Sequence, residues 1–203
     1  MLQTLKAGGL LIIPILICGV FATYIIIERF IYFKNLKARD SQLKKDLDKA
    51  LAAADLSACE AACSQAGTPT ATVVKKALDC RRYDEEALRE VVEAEMECVI
   101  PSMEHWLTPL GTIANIATLL GLLGTVTGNM KAFGVLGAGG TMGDPALLAG
   151  AISEALVTTV AGLFVSIPSL IFHNYFVSRV NRRIAEMQAI VTETLLKIKG
   201  RIK

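Results

Sequence analysis

The chain has 203 residues, 53% of them hydrophobic and 20% charged, with a mean hydropathy of +0.48. That is too apolar for an ordinary soluble domain and too charged for a bundle lying wholly in lipid, so membrane spans joined to a charged soluble part are implied. The net charge of +2 comes with no nucleic-acid motif, which argues against a nucleic-acid-binding module.

The first apolar run, 8–33, is longer than the roughly 20 apolar residues a membrane helix needs. Its length, the charged pair Glu28-Arg29 at its end and the lack of a small-residue cleavage site mark a retained span rather than a signal peptide. Pro14 falls in the first turns, where a missing amide donor matters least.

Residues 34–105 form the charged part, expected to be a cytoplasmic helical domain. Leu43, Leu47, Leu51 and Ala54 recur at helical spacing across 41–66. Gly67-Thr68-Pro69 then reads as a break: Gly ends one helix, Thr caps the next and Pro suits its first turn. Val74, Ala77, Leu78, Leu88, Val91, Val92 and Met96 predict one further amphipathic helix from Thr70 onward. Its acidic outer face (Asp84, Glu85, Glu86, Glu90, Glu93, Glu95, Glu97) is that of a solvated helix or of a docking face for a soluble partner. Cys59 and Cys63 can share a helix face, but no CxxC or His pair supplies the further ligands of a zinc site, so no metal is expected. The cytoplasmic cysteines are expected to stay reduced.

The second apolar run is 107–136. Pro101 and Pro109 bracket its entry and predict a kink in a helix continuing from the charged part. Two stripes interleave in this run. Ala117, Gly121, Gly124 and Gly128 form a small-residue face suited to close helix packing. Asn115, Thr118, Thr125 and Asn129 form a polar face that must look at protein, water or an ion. Lys131, near the end of the span, is placed to snorkel to the interface. Residues 134–143 read as a flexible connection overlapping the turn placed at 137–145, where Asp144 caps and Pro145 starts the third helix.

The third run, 146–177, carries one carboxylate, Glu154, followed by Thr158, Thr159, Ser166 and Ser169. Steps of three and four place Glu154, Thr158, Gly162, Ser166 and Ser169 along one side of a helix, with Thr159 beside it. An ionisable group inside a span normally faces a bundle interior or a wet cavity, so this helix is expected to line an ion path. Val180, Ile184, Met187, Ile190, Val191 and Leu195 continue the helical pattern through a C-terminal segment, 178–203. His105 lies at a membrane boundary and His173 near the other cytoplasmic end, and both read as interfacial or packing residues.

Basic residues concentrate after the first run and after the third, so the positive-inside rule predicts three spans with the N-terminus outside and the charged domain and C-terminus in the cytoplasm. The expected fold is therefore an all-α integral membrane protein with long cytoplasmic helical extensions. No phosphate-binding loop and no nucleophile with a credible base is present, so no enzymatic activity is expected.

The run Gly111-Thr-Ile-Ala-Asn-Ile-Ala-Thr-Leu-Leu-Gly-Leu-Leu-Gly-Thr-Val-Thr-Gly resembles the second-span signature of the ExbB/TolQ/MotA ion-channel family. Gly150-Ala-Ile-Ser-Glu-Ala-Leu-Val-Thr-Thr-Val-Ala-Gly-Leu-Phe-Val-Ser-Ile-Pro resembles its third-span signature, and Ile27-Glu28-Arg29 matches the end of the first. Three spans favour the ExbB/TolQ branch. The resemblance implies a pentameric ring in the bacterial inner membrane, its pore lined by the second and third spans and holding a dimeric single-span partner resembling ExbD or TolR. Ion flow then drives a TonB/TolA-like or other periplasmic effector. It places Thr125, Glu154, Thr158 and Thr159 in the ion pathway and makes Asn115, Thr118, Asn129 and Ser166 pore-lining candidates, with no cofactor. The chain has Ala117-Thr118 where many members have Ala-Pro, and Thr158-Thr159 where many proton-driven members have Ala-Thr, a doublet resembling sodium-driven stators. Protons are expected, with sodium open. A passive oligomeric scaffold and a small-solute carrier are the alternatives; the chain shows no internal repeat of the kind carriers usually have.

Overall fold

A computed structural model describes residues 9–53, 55–138 and 145–198, and every regular element among them is an α-helix. In chain order these are α1 (Ile12–Ala52), α2 (Leu56–Ala66), α3 (Pro69–Asp79), α4 (Glu85–Glu104), α5 (Leu107–Ala138) and α6 (Pro145–Ile198). Helices α1, α5 and α6 are each long and apolar enough to cross a membrane. The segments whose backbone groups would face lipid are thus helical, which satisfies their amides internally.

The ends of the short helices follow from capping chemistry. Asp55 accepts from the Ala58 amide at 3.1 Å and starts α2, so the pattern read across 41–66 is two helices, not one. Gly67 closes α2 at φ 57°, a left-handed conformation that glycine adopts without steric cost, and its amide returns to the Cys63 carbonyl. Thr68 then caps α3 through the Ala71 amide at 3.2 Å, with Pro69 in the first turn. The single amphipathic helix expected beyond Thr70 is divided as well: α3 ends at Asp79 and α4 begins at Glu85. The apolar spacing persists through the gap because both helices bury the same kind of face.

The predicted kink between Pro101 and Pro109 is a full break. Helix α4 ends at Glu104, Trp106 takes φ 71°, and α5 restarts at Leu107. Pro109 falls in the first turn of α5, so it removes no intrahelical bond. The flexible connection begins later than expected: residues 134–138 remain in α5, and the rest of that segment, with the Asp144 cap, lies outside the described residues.

The chain divides into two compact units. The apolar unit contains the described residues up to Glu28 and residues 106–175. Ile15, Ile25, Leu110, Ala114 and Ala117 are its most enclosed apolar side chains, while Phe21, Leu119, Leu122, Phe164 and Ile167 are exposed, as lipid-facing residues are. The charged unit contains residues 29–105 and the described residues from Phe176 onward. Leu43, Leu47, Val73, Val74, Leu78, Met187 and Val191 form its core. Phe176 stacks on Phe33 at 5.8 Å between centroids and meets Phe30 edge-on at 5.5 Å. Arg29 is buried, lies 4.4 Å from the Tyr32 ring and donates to the Met103 carbonyl in the last turn of α4. Cys59 and Cys63 are buried in the same core, where burial pushes both thiols up, Cys63 to about 11.

Candidate functional site

The candidate site is the seam between α5 and the first part of α6. It exists because the small-residue stripe lets two backbones approach closely. Ala117, Gly121, Gly124 and Gly128 are all buried. A side chain at Gly162 would stand 2.5 Å from the Ala117 carbonyl and 2.9 Å from the Gly121 Cα. At Gly124 it would meet Thr158, and at Gly128 it would meet Ala155, each at 2.5 Å. These pairs fix an antiparallel register in which Gly128 faces Ala155, Gly124 faces Thr158 and Gly121 faces Gly162.

That register sorts the polar residues onto two flanks. On one, Thr159 donates to the Gly121 carbonyl at 2.8 Å and Thr118 donates to the Ser166 hydroxyl at 2.6 Å. Thr125 is half-buried on the same side and donates to the Leu122 carbonyl, while Asn115 and Asn129 are exposed. The hydroxyls thus have partners, yet the flank remains open along Asn115, Thr118 and Asn129. On the other flank Lys131 and Glu154 form an ion pair at 2.6 Å, and a side chain at Gly9 would run into the Glu154 carboxylate.

Glu154 and Thr159, expected beside one another, therefore leave the seam on opposite sides. They are five residues apart, which at 3.6 residues per turn separates them by about 140° around α6. Thr158 is fully enclosed between them; its hydroxyl donates to the Glu154 carbonyl at 2.8 Å and its methyl fills the space over Gly124. Lys131 does not reach alone toward an interface, as expected of it, but neutralises Glu154. Sequence reasoning missed this pair, which only the observed register brings together: Lys131 lies seven residues beyond Gly124, and Glu154 one turn before the facing Thr158. It also missed that His173 packs over Gly111, where a side chain would stand 3.0 Å from Nε2. Among the described residues no group of three or more His, Cys, Asp or Glu side chains is placed to hold a metal ion.

The profile of the MotA/TolQ/ExbB proton channel family matches residues 65–189, a range that takes in α3, α4, α5 and most of α6. Over 183 residues the chain is 33% identical to putative biopolymer transport protein ExbB-like 3 of a Synechocystis species, covering 90% of this chain and 87% of the relative. Putative biopolymer transport protein ExbB homolog of Methanothermobacter thermautotrophicus is 24% identical over 93% of this chain and 67% of the relative. Biopolymer transport protein ExbB of Xanthomonas campestris is 37% identical over 52% of this chain and 40% of its own length.

Proposed function

Because the chain belongs to the MotA/TolQ/ExbB proton channel family, we propose that it is the pore-forming subunit of an inner-membrane motor. Several copies, five in the ring this family resemblance suggests, enclose a path for protons. A single-span partner like ExbD or TolR carries the titrating carboxylate within it, and the coupled movement works on a periplasmic or outer-membrane system. The N-terminus faces the periplasm, and the charged unit and the C-terminus face the cytoplasm, in keeping with the positive-inside distribution of Lys and Arg.

The observation that carries the reading is the open polar flank of the α5–α6 seam on helices otherwise dressed for lipid. Amide and hydroxyl groups there need water, protein or an ion opposite them. Thr125 and Thr159 form the narrow part of the path, and Asn115, Thr118, Asn129 and Ser166 line it. Glu154, its charge matched by Lys131, and Thr158, which holds the Glu154 backbone, keep the seam polar at one end without binding the travelling ion directly. One charge crossing a potential of 100 mV yields about 2.3 kcal/mol, so several protons per work stroke are needed to drive mechanical movement.

The test is flux into proteoliposomes holding the full chain with its single-span partner, read by an enclosed pH dye under an imposed potential. Wild type conducts; Thr159→Ala assembles and copurifies equally well but does not conduct. Full flux in Thr159→Ala removes Thr159 from the path. No flux in wild type, with protons or with sodium, leaves a passive scaffold as the better description.

A further inference from the structure

The geometry points to His173 as the proton-exchanging residue at the charged end of this path, an inference that rests on the channel reading above. Three rungs recur every seven residues on both helices of the seam. On α5 they are Thr125, Thr118 and Gly111; on α6 they are Thr159, Ser166 and His173. A seven-residue step returns to nearly the same face of a helix, with about 20° of drift. The middle rung is closed by the Thr118–Ser166 hydrogen bond at 2.6 Å, and the third by the His173 ring lying over Gly111. Each step rises about 10.5 Å. Asn115, exposed on the same flank of α5, lies between the second and third rungs, and bridging water can complete such a step.

The third rung is shaped for an imidazole. Glycine at 111 lets the ring lie close against α5: a Cβ there would stand 3.0 Å from Nε2 and 3.1 Å from Cδ2 and would press on the ring. Nδ1 lies 3.3 Å from Asn174 Oδ1, the ring's only hydrogen-bond partner among the described residues. With Nδ1–H donating to that oxygen, the Nε2 lone pair is turned toward α5 and the flank. No carboxylate or cation is ion-paired with the ring among the described residues. The first two rungs and the third differ in what they can do with a proton. Hydroxyls such as those of Thr118 and Ser166 relay one by accepting while donating another, but they do not hold it near neutral pH. Imidazole does. Protons reaching the third rung add to Nε2, giving the imidazolium, and leave it for water on the side where Arg179, Arg182 and Arg183 follow, so the ring is regenerated without any other reactant. A neutral imidazole offers nothing comparable to sodium, so the device selects protons.

The test uses the same proteoliposomes. His173→Gln is expected to lower proton flux roughly tenfold or more, the scale of a lost acid–base group, while oligomer size and partner copurification stay unchanged. Gly111→Ala, which crowds the ring, lowers flux in the same direction, and His105→Gln, altering the other of the two histidines, leaves it at the wild-type level. Since a substitution at 173 can disturb assembly, the His105→Gln protein is also carbethoxylated after assembly: flux falls as the remaining histidine reacts and returns with hydroxylamine. Flux in His173→Gln within twofold of wild type, or flux indifferent to carbethoxylation, overturns the assignment. If Thr159→Ala stops conduction while both His173 treatments leave it intact, the channel reading stands and only His173 falls; a wild type that conducts nothing takes both down.

Discussion

Glu154 shows what a carboxylate in a lipid-crossing helix requires. It is about a quarter exposed, and Lys131 lies at 2.6 Å. Removing one partner of such a pair leaves a charge without compensation, whereas removing both leaves none. Lys131→Ala is therefore expected to destabilise the purified protein more than Lys131→Ala/Glu154→Ala does. A double-mutant cycle on thermal unfolding in detergent should return a coupling of about 0.5 to 3 kcal/mol; additive effects would mean that the pair does not form. Asp40 offers a second case, in the charged unit and beyond the apolar part of α1. Its Oδ1 is buried with no hydrogen-bond partner among the described residues. Burial raises its pKa, against the opposing pull of the Thr68 and Thr70 hydroxyls and the Arg183 guanidinium. A carboxyl whose pKa is higher folded than unfolded contributes stability below its unfolded pKa and loses it as pH rises through the folded value. Asp40→Asn should thus gain on wild type in melting temperature as pH rises from about 4 toward 7, and an advantage that shrinks over that window would refute the account. Neither environment was legible in the sequence. A carboxylate's partner depends on which residues a distant helix brings opposite it, and composition says nothing of that.

The helices were the most legible level, and the reason is local. Gly67-Thr68-Pro69 carries its own conformational instructions, so the α2–α3 boundary follows from residues adjacent in sequence. The breaks at Asp55 and between α3 and α4 were less visible because the apolar spacing runs on across them. At Trp106 the two flanking prolines drew attention from the actual break, which occurs between them at a positive φ. The small-residue stripe of α5 was legible as a packing face, but its register against α6 was not, since a repeat of small residues fits a facing helix equally well in several alignments. That register rests on backbone contact at Gly162. A Cβ there meets the Ala117 carbonyl at 2.5 Å, and neither backbone can move aside by rotating a side chain. Gly162→Ala should destabilise the protein by about 1 to 3 kcal/mol, the usual range for overpacking. Gly134→Ala, with open space around it, should cost nothing of the kind. Equal melting temperatures for the two variants would show that α5 and α6 are not in close contact.

At the scale of the whole molecule, one protomer leaves its surface divided between two solvents. Leu119, Leu122, Phe164 and Ile167 suit acyl chains, whereas Asn115, Thr118 and Asn129 do not. An interhelical hydrogen bond in a membrane contributes about 1 to 2 kcal/mol in model peptides, so covering the exposed Asn115 and Asn129 amides with protein favours association over a dispersed chain. The residues needed for this were readable from the chain as a stripe; that the stripe stays open after α5 and α6 have packed could be learned only from the fold. The full-length chain, extracted in mild detergent and weighed by native mass spectrometry, is expected as a single closed oligomer of five copies. In the proposed ring, Asn115→Leu with Asn129→Leu should loosen the hold on the proposed single-span partner, measured as copurified partner per subunit, while leaving the close glycine seam within the chain intact. A wild-type chain that remains monomeric in detergent and in lipid nanodiscs, at concentrations where its partner is present, would mean that the polar flank is covered some other way and that no ring encloses it.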